Sequence, residues 1–220
     1  MTKYDQIVAL FQKDFICNDF AIRGKAEAFI CPLQQECKVN QVAEPIWTAA
    51  LGSDDTKVMI VAEAPSAKGG IGPHIGGLVK NWTHEKSVNS LFTFVQKYFN
   101  TIPYFTDLMK CGVSRQTKEK KSLVFKARIK NCLTHYLLKE IKIIKPEIIL
   151  CVGNLSFSAL KDCRNRGLIN DSTKLVKLIH YGRQAGLPLS PDDKKNLIWP
   201  IQVGKVSKDR LRDLSYFKDE

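Results

Sequence analysis

Residues 58–77 read Val-Met-Ile-Val-Ala-Glu-Ala-Pro-Ser-Ala-Lys-Gly-Gly-Ile-Gly-Pro-His-Ile-Gly-Gly, and this stretch decides the fold. Its first five residues are apolar and rich in β-branched side chains, which predicts a strand buried on both faces of a parallel sheet. Glu63 follows directly, Pro65 fixes a turn, and five glycines let the backbone approach a ligand closely. Because open α/β sheets bind ligands beyond the carboxyl ends of their strands, Glu63 lies where an active site is expected. An ordinary loop with Glu63 in solvent is the alternative.

Composition favours a soluble, basic protein. The 220 residues are 44% hydrophobic and 25% charged, enough to bury a core as one domain over 1–220, in which 1–50 form an N-terminal helix and a cysteine-bearing segment. Neither a membrane-spanning run nor a signal peptide is visible, so we expect a cytoplasmic monomer that does not associate with membranes. The net charge of +12 favours nucleic acid, most simply DNA, as the partner, although a merely basic protein would carry it too.

Strand and helix patterns alternate along the chain. The spacing of apolar residues predicts helices over 4–15, 87–98 and 131–144 and a further helix from Ser156. Strands are predicted over 58–62, 102–111 and 147–152, and the last strand over either 175–179 or 196–202. This order predicts an α/β fold, a three-layer αβα sandwich with a mainly parallel central sheet of about four strands.

The seven cysteines do not suggest disulfides in a reducing compartment, so metal, iron-sulfur or catalytic roles come first. Cys151 lies inside an apolar strand and is interpreted as a core residue, and Cys163 has no special role. The other five fall in a loop-like N-terminal region or flank a basic segment: Cys17, Cys31, Cys37, Cys111 and Cys132.

A basic run occupies 110–130. It carries eight Lys or Arg, namely Lys110, Arg115, Lys118, Lys120, Lys121, Lys126, Arg128 and Lys130. The run could follow a phosphate backbone or form a solvated face, and both interpretations stay open. As DNA phosphate contacts we predict Lys118, Lys120, Lys121 and Arg183.

Four motifs occur in a recognisable order. They are Val-Ala-Glu-Ala-Pro-Ser at 61–66, Gly-Pro-His-Ile-Gly at 72–76, Thr-Asp-Leu-Met-Lys-Cys at 106–111 and Lys-Pro-Glu-Ile-Ile-Leu-Cys-Val-Gly at 145–153. Their order and approximate spacing resemble the uracil-DNA glycosylase superfamily, most closely its iron-sulfur branch, family 4. The resemblance covers 31–180.

This resemblance implies a 4Fe-4S cluster. Cys31, Cys111 and Cys132 match three of the branch's ligands, but the position of the first ligand holds Ala28. Cys37 is the favoured substitute and Cys17 the alternate. A structural zinc ion is the competing occupant, since four thiolates also bind zinc.

The resemblance also implies hydrolysis of the N-glycosidic bond of a base flipped out of DNA. Glu63 would position or activate water, and Ala64 and Pro65 would line the base pocket. His180 would donate a hydrogen bond to the base oxygen where negative charge accumulates. That role for His180 requires 175–179, and not 196–202, to be the last strand.

Two residues depart from the family pattern on the base-binding side. His74 replaces the stacking Phe, and Asp107 replaces the Asn that recognises the uracil edge. An ionised carboxylate only accepts hydrogen bonds, so it would repel uracil O4 and would suit a base with an exocyclic amine. We therefore expect weak or absent uracil excision unless Asp107 is protonated.

Three functions remain open on the sequence. The first is a DNA base glycosylase of altered base choice, and the second is a degenerate member that binds DNA without cutting it. The third is an unrelated α/β enzyme that binds a nucleotide, which lacks support from any phosphate-binding motif.

Overall fold

The computed structural model describes residues 1–14, 48–50, 55–64, 77–79, 86–110, 123–180 and 189–213. Its strands are β1 (Thr48–Ala50), β2 (Val58–Ala62), β3 (Gly77–Val79), β4 (Tyr104–Asp107), β5 (Ile148–Val152) and β6 (Lys174–Leu178). Its α-helices are α1 (Lys3–Asp14), α2 (Lys86–Phe99), α3 (Leu123–Cys132), α4 (Leu138–Ile144), α5 (Gly153–Asn165), α6 (Pro191–Asp193) and α7 (Trp199–Gln202). Two π-helical segments, Leu133–Leu137 and Lys194–Ile198, and a 3-10 helix, Lys208–Asp213, complete the set.

Within the described ranges the strands form one sheet in the order β3-β1-β4-β2-β5-β6. The neighbours β4, β2, β5 and β6 are all parallel, which confirms the predicted core of about four parallel strands. β1 adds to this core in antiparallel orientation against β4, and β3 pairs in parallel with β1. With three residues each, β1 and β3 are too short to produce a recognisable alternation, so the sequence pattern did not indicate them.

Helices cover both faces of the sheet, as predicted for a three-layer αβα sandwich. On one face, Met59 and Val61 of β2 pack with side chains of α1, α4 and α5. On the other face, Ile60 of β2 packs with side chains of α2 and with Trp199 of α7. Every residue of β2 and β5 is buried for this reason, and both strands are continuous apolar runs.

The helix before β5 begins earlier than predicted. The sequence pattern placed its start at residue 131, whereas α3, the π-helical segment Leu133–Leu137 and α4 follow one another from Leu123. A π-turn shifts the hydrophobic face, so the single 3.6-residue period recognised only the last part. The end is as expected, because Lys145 adopts a left-handed conformation (φ 52°) directly before Pro146.

The alternative last strand over 196–202 is wrong, because these residues are helical. Ser190 and Asp193 form a capping box: Ser190 N donates to Asp193 Oδ2 (2.9 Å), and Asp193 N donates to Ser190 Oγ (3.0 Å). Pro191 occupies the first helical position, where its missing N–H costs nothing. Leu197, Ile198 and Trp199 are all buried. Their burial requires consecutive apolar residues, and in sequence such a run resembles a buried strand.

Cys151 is a core residue, as predicted, and Cys163 is fully buried as well. Burial raises the pKa of the Cys151 thiol to about 12, which keeps it protonated. Across the described part of the chain, every helix is too short or too polar to span a bilayer.

Candidate functional site

Glu63 and Asp107 lie at the carboxyl ends of two neighbouring parallel strands. Asp107 is paired with Ala62 in the ladder between β4 and β2, so Glu63 follows the residue opposite Asp107. The pairing continues past both strands, because Leu108 N donates to Ala62 O (2.9 Å) and Met109 N donates to Glu63 O (3.0 Å). These bonds fix the two strand ends against each other. Asp107 is buried, with 3% of its surface exposed, and Glu63 is half-buried.

His180 lies at the same edge of the sheet. It follows β6 by two residues, and β6 is two strands, or about 10 Å, from β2. The imidazole is partly buried, and burial lowers its pKa. The positive charge of Lys194 lowers the pKa of His180 further, whereas the Glu63 carboxylate raises it. The influence of Glu63 indicates that His180 and Glu63 are close enough to interact electrostatically.

Lys194 supports His180 and was missed by the sequence analysis. Only 2% of its surface is exposed, and its Nζ donates a hydrogen bond to the main-chain oxygen of His180 (3.1 Å). Burial lowers the pKa of its ammonium group. Lys194 opens the π-helical segment that follows the Ser190 capping box, so the capping motif Ser-Pro-Asp-Asp at 190–193 was the available signal.

Trp199 anchors the chain just before His180. Its Nε1 donates to the main-chain oxygen of Ile179 (3.0 Å), and its ring packs against Phe94 of α2 with the ring centroids 5.6 Å apart. Gln202 accepts a hydrogen bond from Ile179 N (3.1 Å). The backbone just before His180 is therefore held on both its N–H and its C=O side.

Cys132 is the one proposed metal ligand among the described residues. It is buried in an apolar cluster with Met109 and Phe125, against which Ala64 packs. Its Sγ accepts a hydrogen bond from Lys110 N (3.4 Å), so the chain leading to position 111 lies beside it. N–H groups directed at sulfur are common around iron-sulfur ligands, and this environment fits such a role. No group of three or more possible metal ligands occurs within the residues that the structure describes.

Two members of the basic run do not belong to a charged surface. Lys110 is 1% exposed and Arg128 is 3% exposed, so neither lies on a phosphate-binding face or a solvated one. Lys126 and Lys130, in contrast, are exposed on α3. Lys110 instead forms a buried ion pair with Glu140 of α4 (2.6 Å). Glu140 lies between Leu137 and Ile141 on the apolar face of its helix, which was the sequence signal for a buried carboxylate.

Several predicted site residues lie outside the described residues. These are Pro65 and His74 of the base pocket, the ligand candidates Cys17, Cys31, Cys37 and Cys111, and the phosphate contacts Lys118, Lys120, Lys121 and Arg183. The structure thus brings together Glu63, Ala64, Asp107 and Cys132 around the ends of β2 and β4, with His180 and Lys194 at the same edge. Three polar groups thus lie at one edge of the sheet: the half-buried Glu63 carboxylate, the buried Asp107 carboxylate and the partly buried His180 imidazole. Such groups can together bind and polarise a polar ring compound.

A comparison with protein families adds an independent finding. Residues 49–201, which are more than half of the chain, match the family model described as the Uracil DNA glycosylase superfamily. The matched range includes all the site residues that the structure describes at the carboxyl edge. A search of the curated proteins found no match. By its sheet, its motifs and this match, the chain belongs to the uracil DNA glycosylase superfamily.

Proposed function

We propose that the protein is a DNA base glycosylase that hydrolyses the N-glycosidic bond of a flipped, damaged or deaminated base. The observation that carries this proposal is the pairing of β2 with β4, which holds Glu63 beside Asp107 at the ligand-binding edge of the sheet. Membership of the superfamily supports the reaction class. We accordingly predict that the protein acts in base excision repair. We also predict that it lies in the cytoplasm and is a monomer.

Glu63 is proposed to act on water and on the sugar. Departure of a base leaves positive charge on the sugar ring, and a carboxylate nearby stabilises that charge. The same carboxylate can orient a water molecule and accept its proton as the water attacks C1′. Glu63 is half-buried, so it is both reachable by a substrate and partly shielded from bulk solvent.

His180 is proposed to stabilise the departing base. Negative charge develops on the base oxygens as the bond breaks, and an imidazole N–H directed at one of them lowers the barrier. The backbone of residues 179 and 180 is fixed by Trp199, Gln202 and Lys194. A donor held in this way needs little reorganisation during the reaction.

Asp107 is proposed to select the base, together with Ala64, Pro65 and His74 in the pocket. When it is ionised, the buried Asp107 carboxylate accepts hydrogen bonds from a base that carries an exocyclic amine and opposes a base with a carbonyl there, whereas the protonated acid could also donate to a carbonyl. The favoured substrates are therefore amine-bearing or otherwise altered bases, with uracil disfavoured.

Cys31, Cys37, Cys111 and Cys132 are proposed to hold a 4Fe-4S cluster, with Cys17 as the alternate to Cys37 and zinc as the alternative occupant. When bound, the cluster would cross-link distant parts of the chain next to Met109 and Ala64. DNA is proposed as the partner, with Lys118, Lys120, Lys121 and Arg183 as contacts to its phosphates.

A degenerate, DNA-binding member is the second candidate, and the departures at His74 and Asp107 favour it. Measurements of strand cleavage and of DNA binding distinguish the two candidate functions. Oligonucleotides carrying uracil, hypoxanthine, xanthine or mismatches are incubated with the protein, and abasic sites are then cleaved with alkali. Strand cleavage at one of these bases supports the glycosylase, whereas salt-sensitive DNA binding without cleavage supports the degenerate member.

Replacing the proposed catalytic carboxylate should slow base release strongly. We expect Glu63→Gln to lower the single-turnover rate by about 10²–10⁴-fold, because an amide cannot accept the proton of water. The exposed Glu147 at the opposite edge of the sheet provides the matched control, and Glu147→Gln should keep the wild-type rate. Equal rates for Glu63→Gln and the wild type would remove Glu63 from the mechanism.

Uracil excision should improve when the carboxylate at position 107 becomes an amide. Asp107→Asn supplies a donor for uracil O4 and removes an unfavourable contact worth about 1–3 kcal/mol, so the rate on uracil should rise about tenfold or more. Excision of the preferred base should fall in the same variant. The proposal for Asp107 fails if brisk uracil release in the wild type is unchanged in both Asp107→Asn and Asp107→Ala.

The pKa of His180 should depend on Lys194. Lys194→Met removes the positive charge that disfavours the imidazolium ion, so the pKa of His180 should rise from its lowered position toward the ordinary 6.5. The folding stability that neutral His180 contributes is fully present above the unfolded-state pKa of 6.5 and is lost as the pH falls from 6.5 to the lowered folded-state pKa. In the variant the two pKa values lie closer together, so this loss should be smaller and should be complete at higher pH.

An NMR titration of the four histidines measures this shift, with the His180 signal assigned from His180→Gln. The neighbouring Lys195 forms an ion pair with Asp192 (2.8 Å), and Lys195→Met should shift the His180 pKa less. An identical His180 titration in wild type and Lys194→Met would show that the two groups do not interact.

A further inference from the structure

A closed network of buried polar groups lies beneath Asp107. Glu140 of α4 is fully buried, and Lys110, three residues after β4, is 1% exposed. Lys110 Nζ and Glu140 Oε2 are 2.6 Å apart. The other carboxylate oxygen, Glu140 Oε1, accepts hydrogen bonds from Tyr104 Oη (2.6 Å) and Thr106 Oγ1 (2.9 Å) of β4.

The Lys110 ammonium group also bonds the strand end itself. Besides Glu140 it donates to Thr106 Oγ1 (2.5 Å) and to the main-chain oxygen of Asp107 (2.7 Å). Its three hydrogens thus each have an acceptor. The ion pair therefore reaches the backbone of Asp107, the residue that we propose to select the base.

Stability alone does not account for this network. Burying two charges requires a large desolvation free energy, and well-packed apolar or neutral replacements are often as stable or more so. A fully satisfied buried network does fix geometry, because each group has one arrangement that satisfies all its partners. A positioning role accounts for its location at the end of β4.

We propose that Lys110 and Glu140 are positioning residues that set the direction of Asp107 and the conformation of residues 107–110. This inference rests on the proposed function, because it is in that function that Asp107 selects the base. The hydrogen bond from Lys110 Nζ holds the main-chain oxygen of Asp107 toward α4, and this fixes the orientation of the Asp107 side chain. The same turn carries Leu108 N and Met109 N, which bond Ala62 O and Glu63 O, so the network also sets the spacing between Glu63 and Asp107.

The turn is also tied to the helix that carries Cys132. Lys110 N donates to Cys132 Sγ (3.4 Å), so main chain and side chain of one lysine bond to α3 and α4 together. The network thereby connects the base-selecting end of β4 with the proposed cluster ligand.

The test is the double variant Lys110→Met/Glu140→Gln. It removes both charges and keeps both side-chain volumes, and the Gln oxygen can still accept from Tyr104 and Thr106. Amide hydrogen exchange at Leu108 and Met109, relative to Ile149 and Leu150 of β5, reports the turn without any substrate. We expect relative exchange at Leu108 and Met109 to become at least about tenfold faster while β5 keeps its protection.

Base selection provides the second readout. The ratio of release rates for two bases does not depend on the fraction of folded protein, and we expect this ratio to change by about tenfold or more in the double variant. Thr173→Val is the matched control, because it removes a buried hydrogen bond to a main-chain oxygen, Pro146 O (3.1 Å), at the opposite edge of the sheet. It should change neither readout.

Wild-type relative exchange at Leu108 and Met109 in the folded double variant would overturn the positioning role. An altered exchange pattern with an unaltered base ratio would overturn its link to base selection. If the wild type releases no base, the exchange measurement still decides whether the network holds the turn, and the failure then belongs to the proposed function.

Discussion

The parallel pairing of β2 with β4 is the constraint on which the site depends. The register pairs Met59 with Tyr104 at one end of the ladder and Ala62 with Asp107 at the other. A shift by one residue would turn every side chain of β4 to the other face. The hydrogen bonds from Leu108 and Met109 continue this register into the loops. Two acidic residues far apart in sequence are thereby held at neighbouring positions at the carboxyl ends of β2 and β4.

Buried positive charge distinguishes this edge from an ordinary α/β loop cluster. Lys110 lies behind Asp107, and Lys194 lies behind His180, each with less than 3% of its surface exposed. Both lysines bond the main-chain oxygen of the residue in front of them. In a basic protein most cations stay in solvent, so these two mark positions where charge is used to hold the backbone.

Much of the fold could be predicted from the sequence because β2 and β5 are continuous apolar runs between helical patterns. Cys151 and Val58–Ala62 were recognised for that reason, and the placement of Glu63 and Asp107 followed from the rule for parallel sheets. Periodicity failed where the helix changed its period, at Leu133–Leu137, and where four consecutive apolar residues of helical segments are all buried, at 197–200. Lys110 was placed on a charged surface and Lys194 was missed, because a lysine is expected in solvent and the three-dimensional arrangement is what brings Glu140 and His180 to them.

A double-mutant cycle on Glu63 and Asp107 tests the central claim most directly, namely that the two carboxylates share one cavity and act on one base. The rate constant of base release is measured for Glu63→Gln, Asp107→Asn and the combined variant, on the base that the wild type releases fastest. The account predicts a coupling energy of at least about 0.5 kcal/mol, as found for residues in one site. Effects that add within about 0.3 kcal/mol would contradict it, because they would place the two residues at independent sites.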